Sequence, residues 1–229
     1  MANFEEVADE TGADHFDPLE FDGAIETNGT PAEWRRATRC PCVDSSTGAY
    51  QLDCPYHAVG LGVVWGDPEE IKVLMPGRTD RFTAEMAGGV EMGGSMMVVK
   101  STMTPSHADR IDLMAAEFTT SGEIFTVGDV NKLGHSKERL RFNPIELEYA
   151  TAIVAGQLVT YVFPQVVVGD DGVITWDGGP PQGTQYSVRY RGRPAYVCWS
   201  PQSRDENAQK MPYRVAVKRL DSFEQRVVI

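Results

Sequence analysis

Positive charge is absent from the start of this chain. The first 34 residues contain ten acidic residues and no lysine or arginine. Residues 35–229 contain 23 acidic and 21 basic residues, so most of the net charge of −12 lies in this N-terminal stretch. A nucleic-acid-binding surface needs clustered basic residues, and an acidic block of this kind argues against one.

Long hydrophobic runs are also absent. No stretch approaches the roughly 18 apolar residues of a membrane span, and the N-terminus lacks the basic and apolar pattern of a signal peptide. We therefore expect a soluble protein made in a reducing cytoplasm, with no membrane partner. Cysteine is scarce, with four residues in the chain. In a reducing compartment, clustered cysteines more often bind a metal than form disulfides.

The few cysteines are not scattered evenly. Cys40, Cys42 and Cys54 lie within 15 residues, and His57 follows the last of them in the pattern Cys-Pro-Cys, eleven residues, Cys-Pro-Tyr-His. Two short-spaced pairs of ligands joined by a loop can supply the four thiolate or imidazole groups of tetrahedral zinc. The sequence therefore predicts a zinc site at these four residues. The alternatives are reduced thiols in a loop, or a disulfide that would leave one thiol over.

The ligand set favours a structural ion over a catalytic one. Catalytic zinc usually keeps an open position for water, whereas four protein ligands, three of them thiolates, close the coordination sphere. The chain contains no nucleophile elbow, Walker loop or dinucleotide fingerprint, and no His-x-Glu of a nucleobase deaminase. We therefore predict that the protein is not an enzyme. A Ser/His/Asp triad stays open, because geometry rather than spacing defines it, and a metal-dependent hydrolase is the third hypothesis.

The two glycines after the metal motif have a mechanical interpretation. A backbone that turns back under a metal needs a positive φ or a close approach, which glycine tolerates. Gly60 and Gly62 are therefore predicted to shape the return of the loop. The alternative is an ordinary glycine-rich entry into a strand.

Most of the remaining sequence has the pattern of β-strands. Short apolar runs are separated by glycine and proline turns, which predicts a mainly β protein with one or two small β-barrel or β-sandwich domains. Three hairpins are predicted: 147–154 with 157–162, 166–168 with 173–176, and 185–191 with 195–200. Residues 106–114 are the segment best suited to one or two helical turns.

The predicted organisation has three parts. Residues 1–36 form an extended acidic arm, residues 37–143 a β domain with the metal loop at 40–62, and residues 144–229 a second β domain that ends in an edge strand. The boundary is placed at Asn143-Pro144 because the proline interrupts the β pattern. The arm contains scattered apolar residues, which suit docking onto a neighbouring subunit: Phe4, Phe16, Leu19, Phe21, Ile25 and Trp34. A disordered solubilising tail is the alternative.

Aromatic residues are concentrated in the C-terminal half of the chain. Alternating strands normally place such residues in the core or in cross-strand pairs, and a carbohydrate-binding platform is the alternative. The residues are Tyr161, Phe163, Trp176, Tyr186, Tyr190, Tyr196, Trp199 and Tyr213.

The metal motif resembles a known family. Residues 40–62, with the pattern Cys-Pro-Cys…Cys-Pro-Tyr-His-x-x-Gly-x-Gly, resemble a cysteine loop near the N-terminus of tailed-bacteriophage neck proteins, the head–tail connector, collar or stopper group. Residues 172–197, Asp109-Arg110-Ile111 and Met211-Pro212 are similar to other parts of such proteins. The fourth ligand of the family is usually cysteine, whereas His57 stands here, and a Cys₃His set is a normal zinc site.

The resemblance implies a structural virion protein without catalytic activity, located in the neck at the head–tail junction. It would form a ring of its own copies, with portal or adaptor proteins on one side and tail-terminator or sheath proteins on the other, and DNA would pass only as cargo. Rings need head-to-tail interfaces, to which the arm and a strand at residues 227–229 could contribute. The alternative is a zinc-stabilised tail or baseplate module that contacts a host-surface ligand.

Overall fold

A computed structural model describes residues 17–51, 54, 61–75, 94–130, 134, 136–169, 172–202, 205–206, 209–210 and 212–220. The fold is mainly β, as predicted, with one helix in these ranges, α1 (Pro18–Asn28). The strands are β1 (Thr30–Arg35), β2 (Ala37–Arg39), β3 (Val63–Trp65), β4 (Glu69–Val73), β5 (Gly94–Val99), β6 (Arg110–Leu113), β7 (Phe118–Thr126), β8 (Pro144–Val154), β9 (Gln157–Tyr161), β10 (Val166–Val168), β11 (Ile174–Trp176), β12 (Gln185–Gly192), β13 (Ala195–Gln202), β14 (Asp205–Glu206), β15 (Gln209–Lys210) and β16 (Tyr213–Arg219). Over these ranges, no helix combines the length and the apolar character needed to cross a bilayer.

Six strands form a curled antiparallel sheet in the order β4-β1-β6-β13-β16-β5. The two outer strands of this sheet meet. The amide of Leu74 donates to the carbonyl of Val98 at 3.0 Å, and the amide of Val98 donates back at 2.8 Å. These two bonds form a single bridge between the end of β4 and β5, so the sheet curls into a small, partly closed barrel.

Every strand of this barrel contributes to one core. Alternate residues of β1, β5, β6 and β16 point inward, as the period of a strand requires. The buried members are Ala32, Trp34, Val73, Met97, Val99, Ile111, Leu113, Cys198, Val215 and Val217. The barrel is therefore filled with side chains and provides a rigid body for the rest of the chain.

A second antiparallel sheet has four strands in the order β7-β12-β8-β9. Its inner face packs on a core that includes Ala195 and Val197, from the outer surface of barrel strand β13. The β10–β11 hairpin covers part of the same core through Val166 and Ile174. The outer face of this four-stranded sheet faces solvent and carries Ile124, Ile153 and Leu158.

Two of the three predicted hairpins are confirmed. β10 pairs with β11, and β8 pairs with β9 from Ala150 and Tyr161 to the turn. The β8–β9 turn consists of Ala155 and Gly156, both with positive φ, which tight hairpin turns require.

The third predicted hairpin is wrong. β12 pairs with β7 and β8 in the four-stranded sheet, whereas β13 pairs with β6 and β16 in the barrel. Residues 192–194 therefore carry the chain from one sheet to the other. The backbone is crowded at this crossing, because a Cβ on Gly192 would lie 3.2 Å from the carbonyl oxygen of Asn143.

The helical turns predicted for residues 106–114 are also wrong. Arg110–Leu113 form β6, which pairs with β1 and β13 in the barrel. Ile111 and Leu113 alternate at the period of a strand, and both are buried in the barrel core. Tertiary pairing on both sides outweighs the weak local helical preference of this short segment.

The predicted arm is shorter than expected. Residues 18–35 of the predicted arm form α1 and β1. Its first 16 residues lie outside the described ranges. Ile25 of α1 is fully buried, and Trp34 of β1 is in the barrel core. The apolar residues that suggested docking onto a neighbour therefore pack against the chain's own barrel at these two positions.

The predicted boundary at Asn143-Pro144 does not separate the two large sheets. Pro144 is the first residue of β8, a position that proline tolerates because an interior ladder bond is not lost there. The barrel contains β1, β4, β5 and β6 together with β13 and β16, and the four-stranded sheet joins β7 to later strands. Both sheets therefore take strands from either side of residue 143.

Candidate metal centre

The metal loop is the connection between β2 and β3. Cys40 follows β2, and Gly62 precedes β3. The amide of Cys40 donates to the carbonyl of Gly62 at 2.9 Å, which closes the loop at its base. β2 and β3 pair in register from Ala37 and Trp65 to the base of the loop. A small hairpin therefore carries the described loop residues, 40–51, 54 and 61–62, at its end.

Two contacts fix this hairpin to the body. The indole nitrogen of Trp65 donates to the carbonyl of Ala108 at 2.9 Å. The amide of Ala37 donates to a carboxylate oxygen of Asp109 at 2.8 Å. Asp109 is buried and also accepts hydrogen bonds from the Trp34 indole and the Ser106 amide. The base of the metal loop is thus tied directly to barrel strands.

The three predicted cysteine ligands come together. The Sγ atoms of Cys40, Cys42 and Cys54 all lie within 4.8 Å of one another, and the Sγ atoms of Cys40 and Cys54 are 3.6 Å apart. Tetrahedral zinc with sulfur ligands at about 2.3 Å places two sulfurs roughly 3.8 Å apart. The separation suits shared ligation of one ion and is too long for a disulfide, and all three cysteines are free thiols.

The predicted fourth ligand is not tested by this geometry. His57 lies outside the described residues, as do Gly60, His15 and His135. Cys54 is described, and its amide donates to the carbonyl of Gln51 at 3.1 Å, which turns the backbone at this ligand. The described part of the centre is therefore a three-sulfur cluster that can hold a metal ion.

Asp44 holds the loop between the two predicted ligand pairs. It was not among the site residues predicted from the sequence. Its Oδ1 accepts hydrogen bonds from the amide of Ser46 at 2.8 Å, the hydroxyl of Ser46 at 2.6 Å and the amide of Thr47 at 2.9 Å. The Ser46 hydroxyl, followed by these amides, lowers the pKa of Asp44 to about 2. The signal was present in the sequence, since Asp-Ser-Ser-Thr-Gly is a pattern for an Asx turn.

The glycine prediction is confirmed at Gly62. This residue has a φ of +62°, and a Cβ there would lie 3.2 Å from the ring of Tyr50. Both reasons for glycine, a left-handed backbone and a close approach, therefore apply. Any larger residue would push the returning chain away from the base of the loop.

Burial shapes the chemistry of the thiols. Burial raises the pKa of the Cys40 thiol to about 11, and the neighbouring thiols of Cys42 and Cys54 add to the effect. A bound dication acts in the opposite direction, because it stabilises thiolates and displaces their protons. The three thiols therefore form a group that could hold a metal ion.

The aromatic residues are divided between the core and the surface. Trp176 makes edge contacts with Tyr161 and Tyr186, at 5.5 Å and 4.8 Å between ring centroids, so it belongs to the packing. Trp199 is 45% exposed. Ala195, Val197 and Trp199 follow one another at the period of a strand, but a register shift between Cys198 and Ser200 interrupts the pairing. This bulge explains why Trp199 is exposed although Ala195 and Val197 are buried.

Two buried glutamates were also missed. Glu138 accepts hydrogen bonds from the hydroxyl of Tyr186 at 2.6 Å, the amide of Gly128 at 2.7 Å and the indole of Trp176 at 3.1 Å. Glu123 accepts hydrogen bonds from the Tyr190 hydroxyl and a backbone amide. Donors surround both carboxylates, which is the arrangement expected of structural anchors in a core. Their tyrosine partners, Tyr186 and Tyr190, lie 48 and 67 residues away in the sequence, so the neighbouring residues carry no signal for either pair.

Neither a protein-family model nor a curated protein matches this sequence. The site is therefore defined by its own geometry. Three thiols converge on a loop whose base is tied to the barrel and whose interior is shaped by Asp44 and Gly62. Such a centre can hold a metal ion and stiffen a loop that contributes few side chains to either core.

Proposed function

We propose that this protein is a structural subunit of a tailed-phage virion, which forms a ring in the neck between portal and tail and has no catalytic role. The resemblance of residues 40–62 to the cysteine loop of phage neck proteins supports the family. The partners under this proposal are other copies of the chain, portal or adaptor proteins, and tail-terminator or sheath proteins. DNA passes through the ring as cargo.

The observation that carries an assembly role is the outer face of the four-stranded sheet. Leu158, Ile124 and Ile153 are 73%, 68% and 67% exposed on this face. Phe163, at the end of β9, is 75% exposed. Large apolar side chains that gather on one solvent-facing sheet mark interaction surfaces, since their burial against a partner releases ordered water.

We further propose that the metal is a structural zinc ion, held by Cys40, Cys42, Cys54 and His57. The sulfur separation supports a tetrahedral ion, and three thiolates suit zinc better than calcium or magnesium, which prefer oxygen. Thiolate donation lowers the Lewis acidity of the ion, so its role is to staple the loop. The loop then presents a fixed surface to a neighbour.

Electron microscopy of particles assembled from the full-length chain tests this proposal. The expected result is a closed ring with a central channel, which binds at the head–tail junction when portal and tail proteins are added. Density for the chain at the tail tip or baseplate, with none at the neck, would contradict it.

A second candidate function rests on Trp199. Its exposed ring lies on the barrel surface, with the Lys218 ammonium 4.5 Å and the His107 ring 5.3 Å from its centroid. Exposed aromatic rings are common in sugar-binding sites, so this patch fits a tail or baseplate module that binds a host-surface glycan. Glycan binding that Trp199→Ala abolishes in a folded variant would favour this function. Trp176→Ala is unsuitable for that test, because Trp176 packs in the core.

A further inference from the structure

We propose that β9 is the acceptor edge of the assembly, and that residues 226–229 of a neighbouring copy add to it as an antiparallel or parallel strand. This inference rests on the proposed ring function and names the contact that would build the ring. It concerns the four-stranded sheet, far in sequence from the metal loop.

The two large sheets differ in whether their outer strands meet. The outer strands of the barrel are joined at the Leu74–Val98 bridge. The four-stranded sheet is open, and its outer strands are β7 and β9. An outer strand presents unpaired amides and carbonyls, which are a template for another strand. Within the four-stranded sheet, strand addition is thus limited to these two edges.

β7 carries features that protect an edge. Its pairing with β12 shifts register between Val188 and Tyr190, and Gly122 lies at this irregularity. Glu117, immediately before β7, forms an ion pair with Arg191 across the edge of the sheet. Bulges and charged side chains of this kind discourage the addition of a further strand.

β9 carries none of these features. Its sequence, Gln157–Tyr161, contains no charged residue, proline or glycine, and its five residues pair with β8 in continuous register. This five-residue edge is regular and neutral. Natural sheets leave such an edge unprotected where another chain covers it.

An apolar and threonine-lined stripe accompanies the β9 edge. The register places Ile153 opposite Leu158, and Thr151 opposite Thr160, on the outer face. Val162, just beyond β9, is 49% exposed. A strand added to β9 would extend this face and place alternate side chains beside Leu158. The stripe therefore favours an apolar, β-branched donor strand.

The donor segment is identified by where the chain leaves the described region. Leu220 is buried in the core under the four-stranded sheet. The Arg219 guanidinium lies 5.1 Å from the ring centroid of Phe118, the first residue of β7. The chain therefore leaves beside the β7 edge, on the side of the sheet opposite β9.

Length and charge both suit this donor. The sequence continues with nine residues, 221–229, which end in Arg-Val-Val-Ile. Nine extended residues span up to about 30 Å. The outer strands of a four-stranded sheet are roughly 14 Å apart, so the segment is long enough to extend beyond its own sheet. Val227, Val228 and Ile229 match the apolar stripe. Residues 1–16 match it poorly, because they contain five acidic residues and β9 has no cation to pair with them.

The arrangement has the symmetry that a ring needs. The donor leaves at one edge of the sheet and the acceptor lies at the other, so each copy would bind the next with different surfaces. Such a head-to-tail contact closes into a ring when the rotation between copies allows it. A contact of β9 with β9 would instead give a two-fold dimer.

A pair of matched variants tests the acceptor. Leu158→Lys places a charge beside the β9 edge, and Ile124→Lys places the same charge on the same face beside β7, at a site of similar exposure. We expect Leu158→Lys to weaken self-association by at least about tenfold, because the lysine removes the apolar contact with the added strand and places a charge beside its apolar side chains. Ile124→Lys should assemble like the unmodified chain. Equal effects of the two variants would overturn the inference.

A mixing experiment tests the donor and separates this inference from the proposed function. A chain that lacks residues 221–229 keeps the acceptor, and the Leu158→Lys chain keeps the donor. Each should be monomeric alone, and a mixture should form one-to-one dimers by native mass measurement. A mixture that stays monomeric, while the unmodified chain forms rings, contradicts the inference and leaves the ring intact. An unmodified chain that stays monomeric with portal and tail proteins present contradicts the proposed function itself.

A photo-cross-linking amino acid at position 160 identifies the occupant directly in the assembled full-length protein. Cross-links to residues 225–229 of another copy support the inference. Cross-links to position 160 of another copy, to residues 1–16, or to portal or tail proteins would each overturn it in favour of that occupant.

Discussion

At the scale of single residues, the metal centre depends on thiols carried by a loop that buries little apolar surface. Cys40 is buried at the base of the loop, whereas Cys42 and Cys54 are partly exposed. Asp44 shapes the turn that follows Cys42 through the Ser46 and Thr47 groups. Under the proposed zinc site, the ion and local hydrogen bonds supply much of the free energy that orders the described part of this loop.

Loss of one thiol should empty the site. We expect Cys54→Ser to reduce bound zinc from about one ion per chain to a small fraction and to expose residues 40–62 to proteolysis. Elemental analysis and limited proteolysis measure the two effects. Cys198→Ala is the matched control, because Cys198 lies in the barrel core and away from the cluster. Unchanged zinc content and protease resistance in Cys54→Ser would show that the thiols hold no structural ion.

The buried Tyr190–Glu123 pair should contribute measurably to stability. Burial, followed by the Glu123 carboxylate, raises the pKa of Tyr190 far above its usual range, so the hydroxyl stays protonated and donates. Tyr190→Phe removes that donor from a buried carboxylate and should lower the free energy of unfolding by about 1–3 kcal/mol. Chemical denaturation measures this change. Tyr149→Phe, on the exposed outer face, should change it little, and equal changes in the two variants would contradict the role given to the pair.

At the scale of elements, the β8–β9 hairpin contains a residue that its turn does not favour. Ala155 has a φ of 50°, in the left-handed region that costs an alanine roughly 1 kcal/mol. Ala155→Asn creates Asn-Gly, the preferred pair for this turn, and should stabilise the protein by about 0.5–1 kcal/mol. Thermal unfolding measures the gain. Ala155→Val should destabilise it, and a reversed order of the two variants would show that the turn adopts another conformation.

Helix α1 is attached to the barrel by ionic contacts. Glu26 pairs with Lys100 and with Lys72, and Asp22 accepts hydrogen bonds from the amide and hydroxyl of Ser101. The hydrogen bond from Lys100, followed by that from Lys72, lowers the pKa of Glu26. A lowered carboxyl pKa adds stability above the unfolded pKa of about 4.5, and this stability is lost as the pH falls through the folded value.

The pH dependence of stability should therefore depend on Glu26. Above pH 5 we expect Glu26→Gln to be less stable than the unmodified chain, and the difference should disappear as the pH falls below the carboxyl pKa. Denaturation over a series of pH values measures this. Glu20→Gln, on the exposed side of the same helix, is the control. A difference that persists at low pH would assign the effect to packing rather than to charge.

The elements with strong alternation were predictable from sequence. Tyr186, Val188 and Tyr190 alternate in the sequence and form the buried face of β12. Sheet membership was not predictable, because β12 and β13 are adjacent in sequence but belong to different sheets. β6 was missed because four residues are too short for a clear period. The cysteine cluster was found because metal ligation imposes local spacing, whereas Asp109 and Glu138 act through distant partners.

At the scale of the whole molecule, the chain combines a partly closed barrel with an open sheet that packs on the outer surface of barrel strand β13. The barrel supplies a rigid body, and the metal loop extends from its β2–β3 hairpin. The open sheet supplies an apolar outer face and the neutral β9 edge. This division suits a protein that repeats around a ring, because one part keeps its shape while another contacts the next copy.

The native mass of the purified, zinc-loaded, full-length protein tests the ring proposal most directly. It should be measured alone and with portal and tail proteins present. We expect the native mass to be a discrete multiple of the 25.2 kDa chain mass that corresponds to a closed ring, either alone or on those partners. A strict monomer at high concentration, even in the presence of both partners, would contradict it.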